Sequence, residues 1–331
     1  MLAVLAVTTP IFLLIATGFL IVRRGVIKAS EMPTLGRLVT SVALPALIFY
    51  SLSQRNFSEV INPVFLLAYG FGSLLLFVAV LWFCHNVRKQ PLVTSVLNAM
   101  ASSCCNSGFI GFPLVLALLG PITAVALALC MIIENVLIIP LGLALSEWSQ
   151  HRNRPIRESV GKTMALLAKS PISLSIVAGL LASFLQLPIP APVFKAVEMA
   201  AGASGAIALF TIGGKLAGLS LRGLGSSWWE IIIPTVGKLV LHPLIMILML
   251  MILPPFDPQL QVAAVAMACS PMLSIYPILA AQYNYDGTAA ATLLVATIVS
   301  FFTISLAFWL FDATHFVQQG ASILPTLFLQ P

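Results

Sequence analysis

The chain has 331 residues, 60% of them hydrophobic and only 8% charged, with a formal net charge of +6 and a mean hydropathy of +1.07. Soluble domains carry about a quarter charged residues and need them to stay dispersed. This composition excludes a soluble globular protein and indicates an all-α polytopic membrane protein.

Ten apolar segments, each long enough for a crossing of roughly 20 residues, run over 2–22, 38–54, 63–84, 91–119, 121–146, 171–187, 193–219, 229–253, 259–285 and 288–311. The first lacks a basic start and a small-residue cleavage pattern, so it reads as a retained helix rather than a signal peptide. Charge alternates from loop to loop. Arg23, Arg24, Lys28 and Arg37 follow segment one, and Arg88 and Lys89 follow segment three. Arg152, Arg154, Arg157, Lys162 and Lys169 follow segment five, and Arg222 follows segment seven. Only Arg55 and Lys195 fall on the other side. Basic loops stay cytoplasmic, which puts both termini outside, in the plasma membrane. The charge is thus explained by topology, and a nucleic-acid partner is not expected.

The longest loop, 148–170, is read as a cytoplasmic linker between two five-segment sets, 1–147 and 171–311, followed by an external tail over 312–331. Within it Ile156, Val160, Met164 and Leu167 recur at helical spacing, as in a short amphipathic surface helix. Five is odd, so the second set enters the membrane from the opposite side. That is an inverted repeat, as in many secondary transporters.

Segment four carries Asn98-Ala-Met-Ala-Ser-Ser-Cys-Cys-Asn106-Ser-Gly-Phe-Ile-Gly111-Phe-Pro113. Lipid offers no hydrogen-bond partner, so so polar a stretch must be buried in protein or line a cavity. Segment four also has 29 residues, roughly 43 Å as a straight helix against a hydrocarbon core of about 30 Å, and unwinding absorbs the excess. The fourth segment of the second set repeats the theme in Ala266-Met-Ala-Cys-Ser270-Pro271-Met-Leu-Ser274-Ile-Tyr-Pro277. Two broken helices in corresponding places are expected to cross at mid-membrane. Proline suits a first helical turn, whose amides lack partners, so Pro113 and Pro277 are expected to open the second halves. Their amide ends would face an anion, most simply a carboxylate. Asn106, Ser107, Ser270 and Ser274 would orient it, with Gly108 and Pro271 shaping the breaks. Ordinary kinks with locally satisfied polar groups are the simpler alternative.

Glu134 lies in the middle of segment five beside Asn135. An ionisable residue at such depth is a functional candidate: it would carry a proton, bind an ion, or pair with a buried cation. Lys238 and His242 share a helix face at i, i+4 and join it as candidate coupling groups. Lys215, near the inner end of segment seven, is expected to snorkel to the interface. Cys84, Cys104, Cys105, Cys130 and Cys269 all lie in or at the ends of apolar segments without metal spacing, so they read as free buried thiols. No cofactor or metal is called for. Gly202-Ala-Ser204-Gly205 is similar to the nucleophile motif of rhomboid proteases, with His242 on the next segment. A Ser204–His242 dyad is a remote alternative, because helix-contact small residues explain that motif.

Ser41-Val-Ala-Leu-Pro45-Ala-Leu-Ile-Phe, Asn106-Ser-Gly-Phe-Ile-Gly-Phe-Pro113, Lys238-Leu-Val-Leu-His242-Pro243 and the Pro277 to Asn284 region resemble the auxin efflux carrier family, over essentially the whole chain. That family includes plant auxin exporters and bacterial transporters of malonate and related acids. The resemblance implies ten helices in two inverted halves, an anion site where the fourth and ninth cross, a scaffold moving against a transport unit, and a homodimer. It places Asn106, Pro113 and Pro277 at the crossing, and Asn135 with Glu134 at a pocket-lining position. The plant proteins carry aromatic residues there, so Glu134 departs from their pattern. The short central loop, too, fits a bacterial inner-membrane member. The expected function is a carrier of a small organic anion, a mono- or dicarboxylate such as malonate, working by alternating access. The alternative is a proton- or sodium-coupled antiporter or symporter with Glu134 as its ion site.

Overall fold

A computed structural model of the chain describes residues 2–54, 61–150, 161, 165, 168–218 and 228–313. The amphipathic helix expected over 156–169 lies mostly outside them, as does most of the 312–331 tail. The described residues are helical almost throughout. In chain order the helices are α1 (Leu2–Arg23), α2 (Ala29–Ser53), α3 (Pro63–Val87), α4 (Leu92–Ser103), α5 (Ser107–Leu119) and α6 (Thr123–Gln150). There follow α7 (Pro171–Leu185), α8 (Ala191–Gly218), α9 (Trp228–Ile252), α10 (Pro258–Cys269), α11 (Tyr276–Ala281) and α12 (Asp286–Ala313). Six of them (α2, α3, α6, α8, α9 and α12) are long and apolar enough to cross a bilayer. α1, α4, α5, α7 and α10 are further apolar helices, so the chain is a multi-pass, all-helical membrane protein.

Its surface is the reverse of a soluble protein's. On α3 the residues Leu67, Phe71, Leu75, Val78 and Trp82 form an exposed apolar stripe at helical spacing, a face made for acyl chains. The polar residues are inside: Ser73, Asn98, Asn106, Glu134, Lys238 and His242 are all buried. The centre is built from α4 and α10. Every residue from Ser95 to Ser103 is buried, and so is every residue from Ala263 to Cys269. The first run is largely Ser and Ala and the second largely Ala, small enough to let backbones approach in lipid.

The helices pack as two bundles. α1, α2, α7 and α8 form one, with α1 lying along α8 and α7 along α2. α3, α4, α6, α9, α10, α11 and α12 form the other, which also carries α5. α5 lies against α8 and α1 across the seam. The α1–α8 contact is backbone on backbone: a Cβ added at Gly18 would run into the Phe210 carbonyl, and one at Gly213 into the Ile15 carbonyl.

Five of the described helical runs contain one widened π-turn: Val39–Ala43, Phe83–Val87, Ser107–Gly111, Glu134–Ile138 and Gly237–Leu241. All but Phe83–Val87 end two residues before a proline, namely Pro45, Pro113, Pro140 and Pro243. A proline inside a helix removes one amide and pushes its ring at the carbonyl four residues back. Bonding one residue further back swings that carbonyl aside, which is how these helices keep their prolines without breaking.

The α1–α8 contact yields a prediction. Gly213→Leu should cost about 2 kcal/mol through overpacking against main chain, read as a fall of roughly 5 °C in the unfolding temperature of the detergent-purified protein. An unchanged temperature would show that the two helices can separate freely.

Candidate functional site

α4 stops at Ser103, and Cys104 turns into an extended conformation (φ −104°, ψ 135°). α10 stops at Cys269, and Ser270 does the same (φ −66°, ψ 149°). The freed strands meet. Cys105 and Met272 form an antiparallel bridge, the one β-pairing among the described residues, and the Asn106 N–H donates to the Pro271 carbonyl at 2.7 Å. Each break thereby supplies the other with the hydrogen-bond partner that lipid cannot.

Two buried charges hold what remains. Glu134 accepts from the Cys105 N–H at 2.8 Å through Oε1 and from the Ser107 hydroxyl at 2.9 Å through Oε2. Lys238 donates from Nζ to the Ala268 carbonyl at 3.1 Å and lies 2.6 Å from His242 Nδ1. An ammonium can only donate, so Nδ1 accepts, and the ring keeps its proton on Nε2 for Ser73 Oγ at 3.0 Å. The Tyr69 ring flanks His242, with centroids 5.7 Å apart, and its hydroxyl donates to Cys105 Sγ at 3.2 Å. The signs suit the backbone: a carboxylate stands at the amide end of α5, and an ammonium at the carbonyl end of α10. No ion pair joins Glu134 to Lys238 or Lys215.

Helical hydrogen bonding in the second half of the first break begins earlier than the prolines suggested. The Asn106 carbonyl already accepts from Ile110 and Gly111 N–H, at 3.1 and 2.9 Å. The helix therefore starts at Ser107 with Asn106 as its cap, and Pro113 lies in a second turn, accommodated by the π-turn before it. Pro277 does sit in the first turn of α11, after Ile275.

The structure gathers Asn106, Ser107, Pro271 and Glu134 at the crossing, with Ser270 beside Gly111. Gly111 has room for no side chain, since a Cβ there would meet Met267 Sδ at 2.7 Å and Ser270 Oγ at 3.1 Å. Gly108 packs against Leu44 and Met131. The Ser270 hydroxyl turns back to the Ala266 carbonyl at 3.4 Å. Asn135, Ser274 and Pro277 are half-buried, and no hydrogen bond ties them to Asn106. Asn106 itself is 3% exposed, yet its Nδ2 has no hydrogen-bond partner. The Lys215 ammonium lies 4.8 Å from the centre of the Phe109 ring. The protease dyad is not assembled, because Ser204 Oγ returns to the Ala201 carbonyl at 2.6 Å while both His242 nitrogens are engaged elsewhere. All five cysteines are free and buried.

Sequence reading missed Tyr69 and Ser73, whose partners lie 36 and 169 residues away. It missed a second polar cluster too. The Asn98 Oδ1 lies 3.4 Å from both the Tyr276 and the Tyr285 hydroxyls, and Tyr285 lies 3.5 Å from Glu230. A lone serine in the apolar run of α3 was the available signal for Ser73.

The pattern that defines the membrane transport protein family matches residues 3–310. The chain belongs to this family, that of the auxin efflux carriers. It is thus a membrane transporter and not an enzyme. It is 29% identical over 300 residues to the "Putative malonate transporter" of Rhizobium meliloti (strain 1021), covering 89% of this chain and 92% of that protein. It is 26% identical over 310 residues to the "Uncharacterized transporter YfdV" of Escherichia coli (strain K12), covering 91% and 95%. An "Uncharacterized transporter" of Methanothermobacter thermautotrophicus is 29% identical over 114 residues, 33% of this chain and 36% of that protein.

The Glu134 contacts are testable as structure. Glu134→Leu orphans two buried donors and should cost about 3 kcal/mol, whereas Glu134→Gln keeps one acceptor and should lose less than half of that. Equal unfolding temperatures for the two variants would show that the carboxylate does not hold the break.

Proposed function

We propose that this transporter is a secondary carrier of a small organic anion, a mono- or dicarboxylate, which binds where the two breaks cross. The observation that carries the reading is Asn106. An amide donor buried in a water-poor interior without a partner costs free energy, and no other buried side-chain nitrogen or oxygen at the crossing lacks one. A carboxylate oxygen is the simplest acceptor for Nδ2. The free amides of the first α5 turn, from Ser107 onward, add the electrostatic preference for an anion. The similarity to a protein named for malonate points the same way.

In this reading the ten apolar segments form two inverted halves with both termini outside. The bundle of α1, α2, α7 and α8 serves as scaffold, in a homodimer, and the bundle bearing the crossing rocks against it to expose the site to each side in turn. Gly108, Pro113, Pro271 and Pro277 shape the backbone around the anion. Ser270, Ser274 and Asn135 lie near enough in the chain to line its path. Glu134 and Lys238 with His242 then fix the two breaks, so the site arrives at the substrate already formed. A sodium-coupled reading with Glu134 as ion site is less well supported, since both of its oxygens already hold protein donors.

Two measurements test this. A carboxylate that binds should raise the unfolding temperature of the purified protein, by the equivalent of about 2.7 kcal/mol at a hundredfold excess over its dissociation constant. Sodium alone should not. Asn106→Ala should abolish that stabilisation and lower uptake into proteoliposomes at least tenfold, while the ligand-free protein unfolds at an unchanged temperature. Uptake at the wild-type rate would remove Asn106 from the site.

A further inference from the structure

Lys215 is the buried-side cation that the crossing does not use. It sits near the end of α8, in the first bundle, and is half-buried. Its side chain runs inward past Gly36 of α2, where a Cβ would approach Nζ to 2.8 Å. The ammonium ends 4.8 Å from the centre of the Phe109 ring. No carboxylate and no hydrogen-bond acceptor meets it among the described residues. Lysines withdrawn from water are normally paired, and an aromatic face is a weak substitute for a carboxylate.

Its position gives that vacancy a meaning. Phe109 lies in the same helical turn as Asn106, three residues on, or about 5 Å along the axis. α5 belongs to the moving bundle of the proposed mechanism, whereas α8 belongs to the other. Gly205 of α8, where a Cβ would lie 3.7 Å from Pro113 Cγ, keeps the two helices in contact along this seam. The Lys215 ammonium thus reaches from α8 of one bundle to Phe109 on α5 of the other, three residues along the chain from the unpartnered Asn106 amide.

We infer that Lys215 holds the second carboxylate of a short dicarboxylate whose first carboxylate is bound at Asn106, and so makes this carrier prefer dicarboxylates to monocarboxylates. The inference rests on the anion-carrier reading. The anion displaces the ammonium from the Phe109 ring, exchanging a weak contact for an ion pair. A monocarboxylate leaves that ammonium unmatched. The bridge also ties the two bundles together only when a dianion is present.

The test is uptake of malonate and succinate against acetate and propionate, each at matched concentration, into proteoliposomes of the full chain. Lys215→Met should lower dicarboxylate uptake at least tenfold and leave monocarboxylate uptake within twofold, and Lys215→Arg should recover most of the loss. Lys215→Gln, longer-lived in polar surroundings, is measured beside the methionine variant, and monodispersity on size exclusion selects which of them is read. Equal effects on both substrate classes, or no effect on either, would overturn the inference. So would a wild-type protein that takes up only monocarboxylates, and in that case the carrier reading stands. Wild-type protein that takes up neither class would remove both, a failure visible before any variant is made.

Discussion

The hydrogen bond from the Asn106 amide to the Pro271 carbonyl is the contact on which the centre of this protein depends. In a bilayer an unwound backbone has no water to turn to, and each unmatched amide or carbonyl costs several kcal/mol. One broken helix would be untenable. Two breaks placed face to face solve the problem mutually, with the Cys105–Met272 bridge as the minimal sheet that does so. The residues around it follow from that geometry. α4 is rich in serine and alanine, and α10 in alanine, because two extended strands must meet between helices. Gly111 is glycine because Met267 and Ser270 of the facing segment occupy the space where a side chain would go.

What the two strands cannot give one another, the buried charges supply. A break leaves amides at the start of one half-helix and carbonyls at the end of another, and these call for opposite charges. Glu134 on α6 meets the first need, Lys238 on α9 the second. Both helices belong to the same bundle as the breaks, so the whole arrangement can move as a unit. Lys238 is in turn held by His242 and Ser73, which fixes the direction of its ammonium. A pair of charges spread over two sites in this way avoids a direct ion pair, which would leave both breaks unsupported.

Much of this was legible in the sequence, for a physical reason. Asn, Ser, Gly and Pro are costly inside an apolar run, so Asn98 to Pro113 and Ala266 to Pro277 announce themselves. Lys238 and His242 are four residues apart on a helix and had to be neighbours. Other features were not legible. Pro113 suggested a helix start, but the π-turn from Ser107 to Gly111 lets the helix begin earlier and pass through the proline. A π-turn depends on carbonyl geometry that no residue type encodes alone, although its recurrence before Pro45, Pro140 and Pro243 shows the rule at work. The depth of Lys215 could be counted in the sequence, but the neighbours of its ammonium could not. Those neighbours are Gly36 and Phe109, from two other segments. Tyr69, Ser73, Tyr276 and Tyr285 find their partners only through tertiary packing.

The crossing is also braced at a second level. Asn98 of α4 receives the Tyr276 hydroxyl of α11 and lies as close to Tyr285, and Tyr285 is near Glu230 of α9. α11 has only six residues and little helix of its own to hold it, so this contact helps to place it. The two broken segments are therefore joined twice, through Asn106 and Pro271 at the breaks and through Asn98 and Tyr276 beyond them. A frame so fully paired changes the meaning of its exception. In a loose site an unpartnered amide could reflect a side chain free to choose among partners. Here the Asn106 backbone is committed on both its amide and its carbonyl, and its neighbours are spoken for. Its side-chain amide finds no hydrogen-bond partner among the described residues, and that exception is what the proposed anion site rests on.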